Sequence, residues 1–140
     1  MIAAIHPARQ ARACARPLCG TRVAAGFPSP ADDYMEGALD LNEYLVRNPP
    51  ATFFFRVTGE SMRDAGILPN DLLVVDRSIE PRNGQVVIAV LDGELTVKRL
   101  WQCNEQMELH AANPEFAPIR IADGRQLDIW GVVKYAIHQI

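Results

Sequence analysis

The dipeptide Asp92-Gly93 constrains this chain more than any other feature. It lies between two apolar, β-branched runs, Val86-Val87-Ile88-Ala89-Val90 and Leu95-Thr96-Val97. An Asp-Gly pair in that setting specifies a tight primed turn, because both residues tolerate the positive φ that the turn requires. Residues 86–91 are therefore expected to pair with residues 94–100 in one hairpin. Side chains alternate along a strand, so Thr96 and Lys98 fall on one face and Val97 on the other. Similar runs stand at Phe53-Phe54-Phe55-Arg56-Val57 and Leu72-Leu73-Val74-Val75, with turn signals at Pro69-Asn70-Asp71 and Asn83-Gly84. Shorter strands are expected near residues 107–110, 118–121 and 128–137. Asp40 ahead of Leu41, Tyr44 and Leu45 predicts one short capped helix that stops before Pro49-Pro50. Residues 1–26, rich in Ala, Arg and Pro, show no sustained period and read as a flexible arm. The chain of 140 residues is long enough for one domain with a real core. The expected fold class is mostly β, a domain of crossing sheets over residues 26–140, preceded by the basic arm of residues 1–25.

Within that frame one lysine is out of place. The chain has twelve arginines but only two lysines, Lys98 and Lys134, and Lys98 sits inside a strand pattern between Val97 and Leu100. Unlike arginine, a buried lysine can lose its proton. Ser61, on the turn Gly59-Glu60-Ser61-Met62, lies 37 positions earlier, and a neutral amine beside a serine hydroxyl is a two-residue general base and nucleophile. A lysine at its reference pKa of about 10.4 would be protonated at neutral pH, so burial has to lower it. Taken without context, a turn serine is usually only a turn residue and a strand lysine usually snorkels to water.

The N-terminal segment offers a matching substrate. Ala24, Ala25 and Gly26 are small residues between a basic arm and the turn Pro28-Ser29-Pro30, and small side chains let a hydroxyl approach a backbone carbonyl. The predicted scissile bond is Ala25-Gly26. In the expected reaction Ser61 Oγ attacks the Ala25 carbonyl, Lys98 takes the hydroxyl proton and returns it to the leaving amine of Gly26, and the backbone N–H groups of Glu60 and Ser61 receive the oxyanion.

Charge divides the chain at the same place. Residues 1–25 carry Arg9, Arg12, Arg16 and Arg22 and no acid, plus four, whereas the rest holds ten basic and seventeen acidic residues, minus seven. Arm and body attract through partly screened charge, which favours delivery of the bond to Ser61 over a freely floating tail. An acidic body argues against direct, sequence-specific DNA binding. No run approaches the ~20 apolar residues of a membrane span, and Pro7 interrupts the start before a signal-peptide core could form. A cytoplasmic protein without membrane association is expected. Cys14, Cys19 and Cys103 show no paired spacing, so neither a disulfide framework, a metal site nor a cofactor is expected. His6, His110 and His138 have no acidic partner at a suggestive spacing. Asp32, Asp33 and Asp76 read as loop and strand-end charges, and Trp101, Trp130 and Phe53 to Phe55 as core or subunit-contact residues.

These motifs together resemble the UmuD family of self-processing SOS mutagenesis proteins, related to LexA-type repressors. The resemblance runs through Gly26-Phe27-Pro28-Ser29-Pro30, Asp33-Tyr34, Asp40-Leu41-Asn42, Gly59-Glu60-Ser61-Met62 and Gly66-Ile67. It continues through Asp71-Leu72-Leu73-Val74-Val75-Asp76, Asp92-Gly93-Glu94-Leu95-Thr96-Val97-Lys98, Asn113-Pro114 and Asp128-Ile129-Trp130-Gly131-Val132-Val133. Arg22-Val23-Ala24-Ala25-Gly26 is similar to the cleavage site of LexA repressors, whereas some UmuD proteins have cysteine before the glycine.

The resemblance implies a LexA/signal-peptidase-like crossed-sheet fold, a Ser61-Lys98 dyad, and autocatalytic cleavage stimulated by a RecA filament on single-stranded DNA. It further implies that the processed homodimer serves a Y-family, UmuC-like polymerase in translesion synthesis. About 25 residues before the bond are too few for a helix-turn-helix head, which favours the UmuD over the LexA role. Removing a plus-four arm is expected to uncover an acidic body. Two other classes compete: a noncatalytic dimeric interaction module of the same fold, and a leader-peptidase-like enzyme acting in trans.

Overall fold

The computed structural model describes residues 2–7, 12–20, 22–27 and 35–140. Arg9, Pro28-Ser29-Pro30, Asp32, Asp33 and Tyr34, used above, lie outside the described residues. The chain divides into two units, Met1–Arg9 with Asn48–Ile140, and Gln10–Arg47.

The larger unit is built on one eight-stranded antiparallel sheet. Its strands are β1 (Ile2–Pro7), β4 (Thr52–Val57), β5 (Leu72–Asp76), β6 (Val86–Leu91), β7 (Glu94–Cys103), β8 (Gln106–His110), β9 (Ile119–Arg120) and β10 (Leu127–Ile137). They lie in the order β1-β4-β5-β10-β6-β7-β8-β9. The Asp92-Gly93 turn takes positive φ at both residues, 50° and 84°, and closes β6 on β7 with Leu91 opposite Glu94 and Val87 opposite Lys98. This is the expected hairpin; β7 runs three residues past its expected end.

The mostly β fold class is as expected, and the strands of this unit join in one continuous, curled ladder. Long β10 serves both halves: residues 127–132 pair with β6 and residues 132–137 with β5, with a register shift in each stretch. Such bulges bend a strand and increase its twist, so a single sheet can curl around a core. Alternation then fills two apolar clusters. Phe55, Val57, Met62, Ile67, Leu73, Val75, Ile88 and Val97 form one. Val87, Ala89, Leu91, Leu100, Leu109 and Val132 form the other. Neighbours such as Val87 and Ile88 fall in different clusters, so β6 is covered on both faces. Trp130 packs edge-on against Phe53 and Phe55, with ring centroids 5.0 Å away in each case. Arg77 lies 4.2 Å above its ring and donates from Nε to the Trp130 carbonyl.

In the smaller unit, β2 (Ala15–Cys19) and β3 (Met35–Asp40) pair as a two-stranded antiparallel ribbon, followed by α1 (Leu41–Leu45). The helix and its cap are as expected: Asp40 accepts from the Asn42 N–H at 2.9 Å, and also from the Cys14 N–H at 2.8 Å. The two strands within residues 2–19 were not legible as strands. Pairing there is made by the backbone, and all of β2 is exposed, so no buried face imposes alternation on its sequence.

Candidate active site

Ser61 owes its place to a residue beside it. Gly59, at φ 86°, reverses the chain after β4, and Met62, only 1% exposed, plugs the turn into the first apolar cluster. The Met62 carbonyl then accepts the Ala65 and Ile67 N–H groups, closing the 3₁₀ turn Arg63–Ala65. From the other side, Ala112 donates its N–H to the Ser61 carbonyl at 2.8 Å and accepts the Asp64 N–H at 2.7 Å. Asn113 donates from Nδ2 to the Glu60 carbonyl at 2.9 Å. The serine is thus half-buried on a turn clamped before and after it. The Glu60 and Ser61 N–H groups belong to the same clamped turn as Ser61 Oγ, and backbone N–H groups of such a turn are suited to receive a developing oxyanion.

Lys98 approaches from β7, and the strand pattern accounts for its direction. Opposite Val87 in the hairpin, it is 8% exposed, and its Nζ lies 3.0 Å from Ser61 Oγ. Two further contacts surround the nitrogen: Thr96 Oγ1 at 3.0 Å and the Val97 carbonyl at 3.1 Å. A neutral amine has two hydrogens and one lone pair. The carbonyl and the threonine oxygen can take the hydrogens, leaving the lone pair for the serine hydroxyl. Among the described residues no carboxylate pairs with Lys98. Desolvation therefore acts unopposed and pushes the amine below its ordinary value of 10.5, the direction that a general base needs.

Ala25 and Gly26 belong to the smaller unit. Residues 22–27 are all exposed, and a Cβ built on Gly26 would meet nothing within 4 Å. The structure thus brings Ser61, Lys98 and the Glu60-Ser61 amides together in one unit and carries the small-residue bond as an open stretch of the other.

Sequence reasoning missed three features of this region. Strand alternation puts Thr96 on the Lys98 face without giving it a role, and Asn113-Pro114 in the sequence signals only a motif. The histidines do find acids. His110 Nε2 lies 2.7 Å from Glu108, the two-residue spacing that puts both side chains on one face of a strand, and it stacks on Trp101. The Glu108 carboxylate is held below its usual range by His110 first, with Arg120 adding to the effect. His138 Nδ1 lies 3.3 Å from Asp71, a pairing across 67 positions that no local spacing signals. Neither pair includes a serine. Among the described residues no cluster of three or more His, Cys, Asp or Glu could hold a metal ion. The three cysteines are exposed and free, and among the described residues no helix is long and apolar enough to cross a membrane.

Comparison with known proteins bears on the same residues. A family model described as Peptidase S24-like matches residues 17–134. ImpA of Salmonella typhimurium is 50% identical over 125 residues, covering 89% of this chain and 84% of that protein. SamA of Salmonella typhimurium (strain LT2) is 43% identical over 139 residues, 99% of this chain and 96% of that protein. The LexA repressor of Bordetella pertussis is 46% identical over 116 residues, 83% of this chain but 53% of the repressor.

Proposed function

The chain belongs to the Peptidase S24-like family, in the UmuD group of SOS-related, self-cleaving serine peptidases, and from that premise we propose that it cuts its own backbone between Ala25 and Gly26. Ser61 is the nucleophile and Lys98 its general base. The observation that carries this reading is the buried Lys98 amine, 3.0 Å from Ser61 Oγ, with no carboxylate among the described residues paired to it. A buried amine of that kind destabilises a fold, and a noncatalytic module would gain nothing from keeping it.

The step begins with neutral Lys98. At the ordinary pKa about one amine in three thousand would be neutral at pH 7, and desolvation raises that share. Ser61 Oγ adds to the Ala25 carbonyl while its proton passes to Lys98 Nζ. The tetrahedral oxyanion rests on the N–H groups of Glu60 and Ser61. Collapse expels the Gly26 amine, which takes the proton from Lys98, and leaves Ala25 esterified to Ser61. Water, deprotonated by the same amine, releases the ester.

The processed chain is a homodimer that serves as accessory subunit of a Y-family, UmuC-like translesion polymerase in the cytoplasm, and a RecA filament on single-stranded DNA stimulates the cut. The family assignment supports this biology.

The test is intact mass against time for the purified protein at neutral and alkaline pH, beside Ser61→Ala. Loss of residues 1–25, faster as pH rises and absent from Ser61→Ala, is the expected result. An intact chain at both pH values, with a RecA filament supplied, would sink the reading. Dilution adds the order of reaction: a cut within one subunit keeps its rate, since tethering supplies effective molarities on the order of 10⁵ M.

A further inference from the structure

We infer that Asn113 is a positioning residue for this cleavage, holding the Glu60-Ser61 peptide in the one orientation that aims the Ser61 N–H at the oxyanion. The inference rests on the reading of Ser61 as nucleophile.

Asn113 is 4% exposed and both ends of its amide are engaged. Nδ2 donates to the Glu60 carbonyl at 2.9 Å, and Oδ1 accepts the Glu115 N–H at 3.0 Å. Those partners fix which end is which, since a carbonyl can only accept and an N–H can only donate.

The Glu60-Ser61 peptide is trans, like every other described here, so its C=O and N–H point in opposite directions. Holding the carbonyl on Asn113 turns the Ser61 N–H to the other side. One peptide further on, the Ser61 carbonyl is held by the Ala112 N–H at 2.8 Å. Two successive residues of one loop therefore pin the two successive peptide planes on either side of the nucleophile.

The pin matters because the turn is soft where it is needed most. The Glu60-Ser61 plane can turn over by opposite rotations about the Glu60 Cα–C and Ser61 N–Cα bonds with little change in chain path, because these are the two free dihedrals that flank it. A flip would move the N–H off the oxyanion while leaving Ser61 Oγ beside Lys98. Asn113 thus guards the oxyanion donor and leaves the base untouched, which separates its signature from that of Thr96 or Lys98.

The experiment is the self-cleavage rate of Asn113→Ala against pH, per folded molecule and well below its melting temperature, beside the wild type and Ser61→Ala. Complete loss of an oxyanion donor costs about 10²–10³ in rate, and a misaimed one is expected to cost roughly 10- to 100-fold. The alkaline plateau should fall by that factor while the midpoint, which belongs to Lys98, stays at the wild-type pH. A plateau within about twofold of wild type, or a shifted midpoint with an unchanged plateau, overturns the inference. An uncut wild type would instead remove the Ser61 reading and this inference with it.

Should Asn113→Ala not fold, Asn113→Asp keeps the Oδ1 acceptor for Glu115 and replaces the donor with a carboxylate oxygen that repels the Glu60 carbonyl. Its plateau is expected to fall as far, and one at the wild-type level would overturn the inference. The wild type alone provides a further check. The Asn113 side-chain amide protons should exchange with water at least tenfold more slowly than those of exposed Asn104, and equal rates would show that the Glu60 carbonyl is not held.

Discussion

In residues 48–140 the strands close over two apolar clusters, and Phe55, Leu73, Ile88 and Leu109 are fully or almost fully withdrawn from water. In residues 10–47 the one buried side chain among those described is Asp40, a helix cap. The contrast matches two mechanical demands. An amine and a hydroxyl kept 3.0 Å apart need neighbours that do not move, and close packing supplies them. For the proposed cleavage, a stretch that enters the site in extended form would need few contacts to give up, and the exposed residues 22–27 meet that need. The rigid partner is thus built from burial, and the yielding partner from its absence.

Removing Lys98 is the strongest way to break this comparison. Lys98→Ala should lower self-cleavage by at least ~10³-fold at neutral pH, as loss of the base does in related constellations, with residues 10–47 untouched. Intact mass over hours reads this directly, and cleavage at the wild-type rate would dissolve the dyad.

Next comes packing. Phe55→Ala should cost about 3–5 kcal/mol, whereas Leu18→Ala, on exposed β2, should stay within about 0.5 kcal/mol. Parallel denaturant titrations would show whether the two units differ as described, and similar losses would erase the contrast.

Lys98→Met sharpens the comparison from inside the core. Because burial holds the folded-state amine below 10.5, the unfolded chain binds the proton better. The native state is penalised in full below the folded pKa, and the penalty fades as pH rises towards 10.5. Lys98→Met should therefore melt higher than wild type at neutral pH while losing cleavage, and its advantage should shrink with rising pH. A constant advantage would mean that the amine does not titrate differently in the two states.

The most local effect is expected at Asp40. Asp40→Ala should loosen α1 by about 1 kcal/mol, visible as faster amide exchange near Asn42, while the melting of residues 48–140 stays put.

Legibility in the sequence followed the range over which each interaction acts. The β6–β7 hairpin needed only Asp92-Gly93, because turn chemistry is local. The approach of Ser61 to Lys98 spans 37 positions, and it was anticipated through the resemblance of whole motifs, since strand alternation gives a lysine its face but not its partner. β2 escaped notice because an exposed ribbon held by backbone groups leaves no mark on side-chain order. Asn113 escaped because an asparagine ahead of a proline looks like any turn residue until its amide is seen bridging Glu60 and Glu115. The His110-Glu108 pair is legible in the sequence, since residues two apart on one strand share a face.

β1 is the outermost strand of the sheet that carries Ser61 and Lys98, with His6 opposite Phe54 and Pro7 opposite Phe53 on β4, and it lies before the Ala25-Gly26 bond. While the chain is whole, its pairing is a folding equilibrium, favoured by the tether and indifferent to concentration. Under the proposed cut, the same strand would become a ligand. Its occupancy would then follow a dissociation constant, dilution would strip it away, and β4 would inherit the edge of the sheet with a row of open N–H and C=O groups.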